Sequence, residues 1–180
     1  MTRPWLVLSL VILVGCASGP ASGPVRTVSQ TLAVTGTNDR LTVSAGDGPH
    51  TSTLAFTPEQ VWRALPAALD SLGVPVTRID PATRTIGNDG FKIRQRMGKT
   101  PLSRFIDCGQ TQIGPNADSY EVYITVVVQV TSVTGGTASI ATTFDASARP
   151  LAFSQAYSRC TTRGLFETRL LDAIRAQLPK

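Results

Sequence analysis

The chain has 180 residues, 42% apolar and 16% charged, enough for one domain of ordinary size with a real core. Seventeen bases against twelve acids leave a formal net charge of +5, too mild to imply nucleic-acid binding. The remaining polar surface is mainly Thr, Ser, Gln and Asn, which suits an envelope protein at least as well as a cytosolic one.

Arg3 is followed by an almost wholly apolar run from Trp5 to Val14, then by small residues and a cysteine, the layout of a secretory signal. The run falls short of the roughly 20 apolar residues that span a bilayer. Its last four residues, Leu13-Val14-Gly15-Cys16, resemble the lipobox of bacterial lipoproteins. That resemblance implies a signal peptide over 1–15, cleavage before Cys16, and acyl chains on its sulfur and new amino group. By resemblance to lipoprotein sorting, Ala17 rather than Asp after the cysteine implies delivery to the outer membrane, with the domain facing the periplasm. Ala17-Ser18-Gly19-Pro20 is repeated as Ala21-Ser22-Gly23-Pro24, so 16–25 reads as the lipidated residue and a flexible tether.

With Cys16 taken by lipid, Cys108 and Cys160 remain as an even pair. In an oxidising compartment such a pair is read as a disulfide, against the alternative of two unrelated buried thiols. The bridge would close a loop of roughly 50 residues and contribute about 4 kcal/mol in the chain-entropy model.

Residues 26–53 are rich in Thr and Ser, with alternating segments Thr31–Val34 and Leu41–Val43 around a turn at Gly36–Asp39. They read as an N-terminal arm or a marginal hairpin. Leu54–Phe56 reads as a short strand. Thr57, Pro58 and Gln60 then form a capping box that opens a helix through Val61, Leu65, Leu69 and Leu72, with Gly73 as its stop. Pro66 should kink it. Val74–Ile79 and Arg84–Ile86 read as strands around an Asp80–Thr83 turn. Gly87-Asn88-Asp89-Gly90 reads as a second turn, before a strand over Phe91–Met97.

Gly98–Asp118 reads as a long polar loop holding Cys108. Tyr120–Thr131 is the longest alternating run, turned by Gly135-Gly136 into Ala138–Phe144. After a loop over Ala146–Ser158, a helix is expected over Thr162–Gln177, with Phe166, Leu170, Ala173 and Ile174 on its apolar side. The fold expected for 54–180 is therefore α+β: a single antiparallel sheet with two helices on one face, in the order β-α-β-β-β-β-α.

This order behind a lipobox resembles the helix-grip domains of BamC-type (NlpB-type) outer-membrane lipoproteins. The resemblance covers Leu54–Lys180. It rests on the helix opening at Thr57, on Val76-Thr77-Arg78-Ile79-Asp80 leading to Ile86, and on Cys160–Glu167. It implies the fold and the location. That family carries two such domains and a long N-terminal segment, where this chain has one domain and a short tether, so no functional residue carries over.

Lys92, Arg94 and Arg96 alternate onto the face that helices leave open, together with Tyr123 and Val127. They are candidates for contact with anionic head groups or an acidic partner, against the plainer reading of a solvated face paired in part with Glu121. The open face is equally a place for the N-terminal arm to lie. Gly98-Lys99-Thr100 is no P-loop, because Ile93 stands where its first glycine belongs and no helix follows.

His50, the one histidine, reads as isolated in a polar turn, which leaves no metal site and no catalytic set. Asp70 and Asp172 read as solvated helix charges. No cofactor is expected. The function expected is a non-catalytic binding or accessory module, anchored to the membrane by its N-terminal lipid, with an envelope protein or anionic lipid as partner and no nucleic acid. A small-ligand or lipid carrier with a groove between the C-terminal helix and the sheet is the alternative, and an envelope hydrolase the third.

Overall fold

The computed structural model describes residues 28–33, 40–45, 48–152 and 155–179, the first two stretches by their backbone. The expected signal peptide, the expected lipidation site Cys16 and the expected tether lie outside the described residues.

The elements are β1 (Val28–Ala33), β2 (Arg40–Ala45), β3 (His50–Leu54), α1 (Pro58–Ser71), β4 (Arg78–Asp80) and β5 (Thr85–Arg94). Short pieces follow: β6 (Arg96–Met97), β7 (Thr100–Pro101), a 3-10 turn over Leu102–Arg104, β8 (Ile106–Asp107), β9 (Gln110–Thr111), β10 (Gly114–Pro115) and α2 (Asn116–Ser119). The long hairpin β11 (Glu121–Ser132) and β12 (Ala138–Arg149) leads to β13 (Ser158–Arg159), β14 (Thr161–Thr162) and α3 (Leu165–Gln177).

The fold is α+β and its strands pair antiparallel. The main sheet has eight strands in the order β1-β2-β3-β12-β11-β5-β4, with β13 on the free stretch of β12. Three two-stranded ladders stand beside it, so the expectation of a lone sheet and two helices was too spare. The strands β1 and β2 pair with each other, and β2 with β3. Their described parts therefore extend the sheet edgewise and do not lie across its open face.

The centre of the fold is the β11–β12 hairpin. Val122, Ile124, Val126, Val128 and Val130 are at most 1% exposed, because alternation sends all five to the same side. Ala138, Ile140, Phe144, Ala146 and Ala148 join them from β12, and α1 and α3 cover this layer with Val61, Leu65, Leu69, Phe166, Leu170 and Ile174. Each fully buried Val, Ile or Leu contributes about 1.5–3 kcal/mol.

α1 opens on the expected capping box. Thr57 Oγ1 accepts from the Gln60 N–H at 3.3 Å, and Gln60 Oε1 accepts from the Thr57 N–H at 3.0 Å. The helix is continuous through Pro66, which is exposed.

The expected turn at Gly87–Gly90 is the interior of β5 instead. A Cβ on Gly87 would stand 1.9 Å from the Val126 carbonyl oxygen, so this glycine lets the backbone of β11 approach. Gly90 likewise lies under the Tyr123 phenol, with 1.7 Å between a notional Cβ and the hydroxyl. A register shift between Ile124 and Val126 absorbs the extra residue.

The expected polar loop over Gly98–Asp118 is a folded block that adds Leu102, Phe105, Ile106 and Ala117 to the core. Asp118 ties it together by accepting from the Ser103 N–H at 2.9 Å and hydroxyl at 2.6 Å. The Cys108–Cys160 disulfide fastens the block to the segment before α3, across a sequence separation of 52.

Candidate functional site

The sheet has one face under helices, and no described element covers the other. Register dictates what that open face presents. Arg94, Glu121 and Arg149 stand in one row across β5, β11 and β12. Lys92, Tyr123, Ser147 and Arg159 form the next row, which reaches β13. Thr125 and Asp145 begin a third.

Glu121 organises the first row. Its Oε1 accepts from the Tyr157 hydroxyl at 2.6 Å and from Arg149 Nη2 at 2.8 Å and Nε at 3.0 Å, and Lys92 Nζ lies 3.7 Å away. The Tyr157 hydrogen bond holds the Glu121 carboxyl below its ordinary range against the opposing effect of burial, helped by Arg149 and Lys92. The same bond raises the Tyr157 phenol. The Arg149 guanidinium sits 4.8 Å from the Tyr157 ring centre, and the Tyr123 ring stands 6.1 Å from that of Tyr157 at 60°. Tyr157 and Arg149 are thus held around one carboxylate, with Tyr123 against the Tyr157 ring.

Beside this network lies a shallow groove of about 400 Å³, lined by Tyr123, Thr125, Asp145, Ala146, Ser147 and Arg159. Asp145 and Arg159 pair across it at 3.1 Å. Tyr123 donates to the Asp89 carbonyl at 3.5 Å, and Thr125 at 3.2 Å.

Of the three bases singled out by alternation, Lys92 and Arg94 lie on this face. Arg96 does not belong to their strand. Gln95 adopts a left-handed φ of 63°, β5 ends at Arg94, and Arg96 starts the separate β6–β7 ladder, where its Nη1 donates to the Lys99 carbonyl at 3.4 Å. Cys16 lies outside the described residues.

Arg149, Tyr157 and Arg159 went unnoticed in the sequence. A signal for the first was present: Asp145, Ser147 and Arg149 alternate with Ala146 and Ala148, which extends β12 five residues past Phe144. Tyr157 and Arg159 had no such periodicity.

His50 is not isolated. Its Nε2 lies 3.6 Å from Oε1 of Glu167, in the first turn of α3, and the two side chains are 12% and 4% exposed. Neither Glu167 oxygen receives a hydrogen bond. Burial raises the Glu167 carboxyl, with its own backbone N–H and His50 acting the other way. Among the described residues no group of three metal-ligating side chains comes together, and no helix is long and apolar enough to cross a membrane.

No protein-family model matches the chain, and no curated protein matches it either.

Proposed function

We propose that this chain is an envelope lipoprotein, held at the outer membrane by acyl chains on Cys16, with its domain facing the periplasm. It works as a non-catalytic binding or accessory module through the open face of its sheet, toward an envelope protein or anionic lipid, and needs no cofactor. In this reading the domain is a helix-grip-like unit, with α1 and α3 gripping one side of the β11–β12 hairpin and the other side left for a partner.

The observation that carries the reading is the contrast between the two faces. One is packed shut, and the other bears a network centred on Glu121 that fixes Tyr157 and Arg149 without serving the core. Ordering long side chains on a surface costs conformational entropy, so side chains already ordered in the free protein favour binding there. The carboxylate at the centre is engaged by three donors, which argues for positioning and against acid–base work. A carrier groove beneath α3 is disfavoured by packing: Phe144 and Phe166 stack with ring centres 4.4 Å apart, and Leu170 and Ile174 are fully buried.

The anchor and the face are tested separately. Labelled palmitate should enter the full chain and be absent from Cys16→Ser, which should leave the membrane fraction; several acyl chains hold a protein far more firmly than one. A photo-crosslinking residue at Tyr123 should give an envelope adduct that the same residue at Asp70, on the exposed side of α1, does not. Unlabelled Cys16, or equal adducts from both faces, would overturn the corresponding half of the reading.

A further inference from the structure

We infer that the open face docks on the phosphate-bearing headgroups of an anionic membrane, with Tyr123 and Tyr157 at its centre and Arg94, Lys92, Arg149 and Arg159 at its flanks. This rests on the reading of the open face as the binding side and names what covers it.

The register places bases at both ends of two adjacent rows, Arg94 and Arg149 around Glu121, and Lys92 and Arg159 around Tyr123 and Ser147. At roughly 4.8 Å per interstrand step, the longer row spans on the order of 14 Å. Lys92 and Arg94, two residues apart on β5, stand roughly 7 Å from each other along the strand. The patch therefore presents its cations on the scale of neighbouring lipid headgroups.

Two carboxylates, Glu121 and Asp145, lie among these four cations, which leaves the patch at +2. Glu121 is shared between Lys92 and Arg149, so it orders both without cancelling both, and among the described residues Arg94 makes no ion pair. A phosphate can therefore add at Arg94 without displacing a carboxylate.

The residue types fit a bilayer better than a protein. A stable protein interface has an apolar centre, and among the exposed large apolar side chains only Tyr123, 38% exposed, belongs to these rows. Tyrosine beside Lys and Arg is the combination found at the headgroup level of membranes. Gly90 serves the same end: its missing side chain lets the Tyr123 phenol lie over β5.

The test is co-sedimentation of the full chain with two sets of vesicles, phosphatidylcholine alone and phosphatidylcholine mixed with phosphatidylglycerol, at low and high salt. The ratio of the two partition coefficients isolates the electrostatic part, because any apolar segment of the chain contributes to both. Lys92→Gln with Arg94→Gln should lower that ratio on the order of 30-fold, roughly fivefold per charge, and high salt should remove the difference. Arg96→Gln with Lys99→Gln, two cations on the β6–β7 ladder, should leave it within about threefold. Circular dichroism and melting temperature establish that each variant is folded.

Equal losses from both pairs would mean that net charge attracts the chain and the face does not, and no loss from Lys92 and Arg94 would remove the inference. Free inorganic phosphate that competes at millimolar concentration would mean that an isolated anion is the ligand and not a membrane, which also overturns it. A chain that fails on vesicles yet still crosslinks to an envelope protein from Tyr123 would refute the lipid partner and keep the open face as the binding side.

Discussion

Replacing Glu167 by leucine should make this protein more stable at neutral pH. The carboxylate sits in the first turn of α3 with 4% of its side chain exposed, and neither oxygen receives a hydrogen bond. His50 Nε2, at 3.6 Å, stands beyond hydrogen-bond distance. An unmet buried polar group costs about 1–3 kcal/mol, and leucine removes that group from the core. A gain of about 2 kcal/mol corresponds to a rise of roughly 4–8 °C in melting temperature for a domain of this size.

The sign with pH follows from the direction of the shift. Burial raises the folded pKa of Glu167 above its unfolded value near 4.5, so the folded state binds the proton more tightly. That contribution is fully present below about pH 4.5 and is lost as pH rises through the folded value. The leucine variant lacks this loss, so its advantage should be small near pH 4 and grow toward pH 7. Urea unfolding of the parent, Glu167→Leu and the near-isosteric Glu167→Gln at several pH values measures it. A parent more stable than Glu167→Leu at pH 7, by a margin that grows as pH rises from about 4, would mean that attraction to His50 outweighs burial.

Two other perturbations have defined outcomes. Cys108→Ser with Cys160→Ser removes a bridge over 52 residues, worth about 4 kcal/mol in the chain-entropy model; a urea-derived loss below about 1 kcal/mol would place the disulfide outside the forces that hold the block to the core. Gly87→Ala drives a Cβ into the Val126 carbonyl at 1.9 Å and should cost more than about 2 kcal/mol, whereas Gly90→Ala meets only the movable end of Tyr123 and should cost less. Equal losses would refute the backbone approach as the reason for Gly87.

What could be read in the sequence was what local periodicity encodes. The alternation from Val122 to Val130 and the Thr57–Gln60 capping box each depend on residues a few positions apart, and both assign the same faces in the fold. Gly87-Asn88-Asp89-Gly90 misled because its composition favours a turn, while its glycines answer to β11, a strand more than thirty residues on. The block after Gly98 misled for a related reason. Dense Gly, Pro and polar residues hid Leu102, Phe105 and Ile106, which the disulfide and Asp118 hold against the core. The contact of His50 with Glu167 had no local signature, since β3 and α3 are brought together only by the finished sheet.

Glu121 and Glu167 show why the open face is the place to look for function. Both are carboxylates beside a base, yet their pKa values move in opposite directions. Glu121 is met by a phenol, a guanidinium and an ammonium on a face that no described element covers, so its hydrogen bonds overcome desolvation. Glu167 is enclosed by the helix that closes the core, and burial outweighs its own backbone N–H and His50, which act the other way. If both groups served only stability, the unmet one in the core would be the easier for sequence change to discard and the surface network would contribute little, since exposed ion pairs are worth about 0–1 kcal/mol. A network of that size is a poor account of why three polar side chains from three segments of the chain converge on one oxygen. Positioning Arg149, Tyr157 and Lys92 for something outside the protein accounts for it better, and Glu121→Gln separates the two: folding stability should stay within about 1 kcal/mol while the preference for anionic vesicles changes. A variant that lost stability and kept its vesicle preference would make Glu121 a structural residue and nothing more.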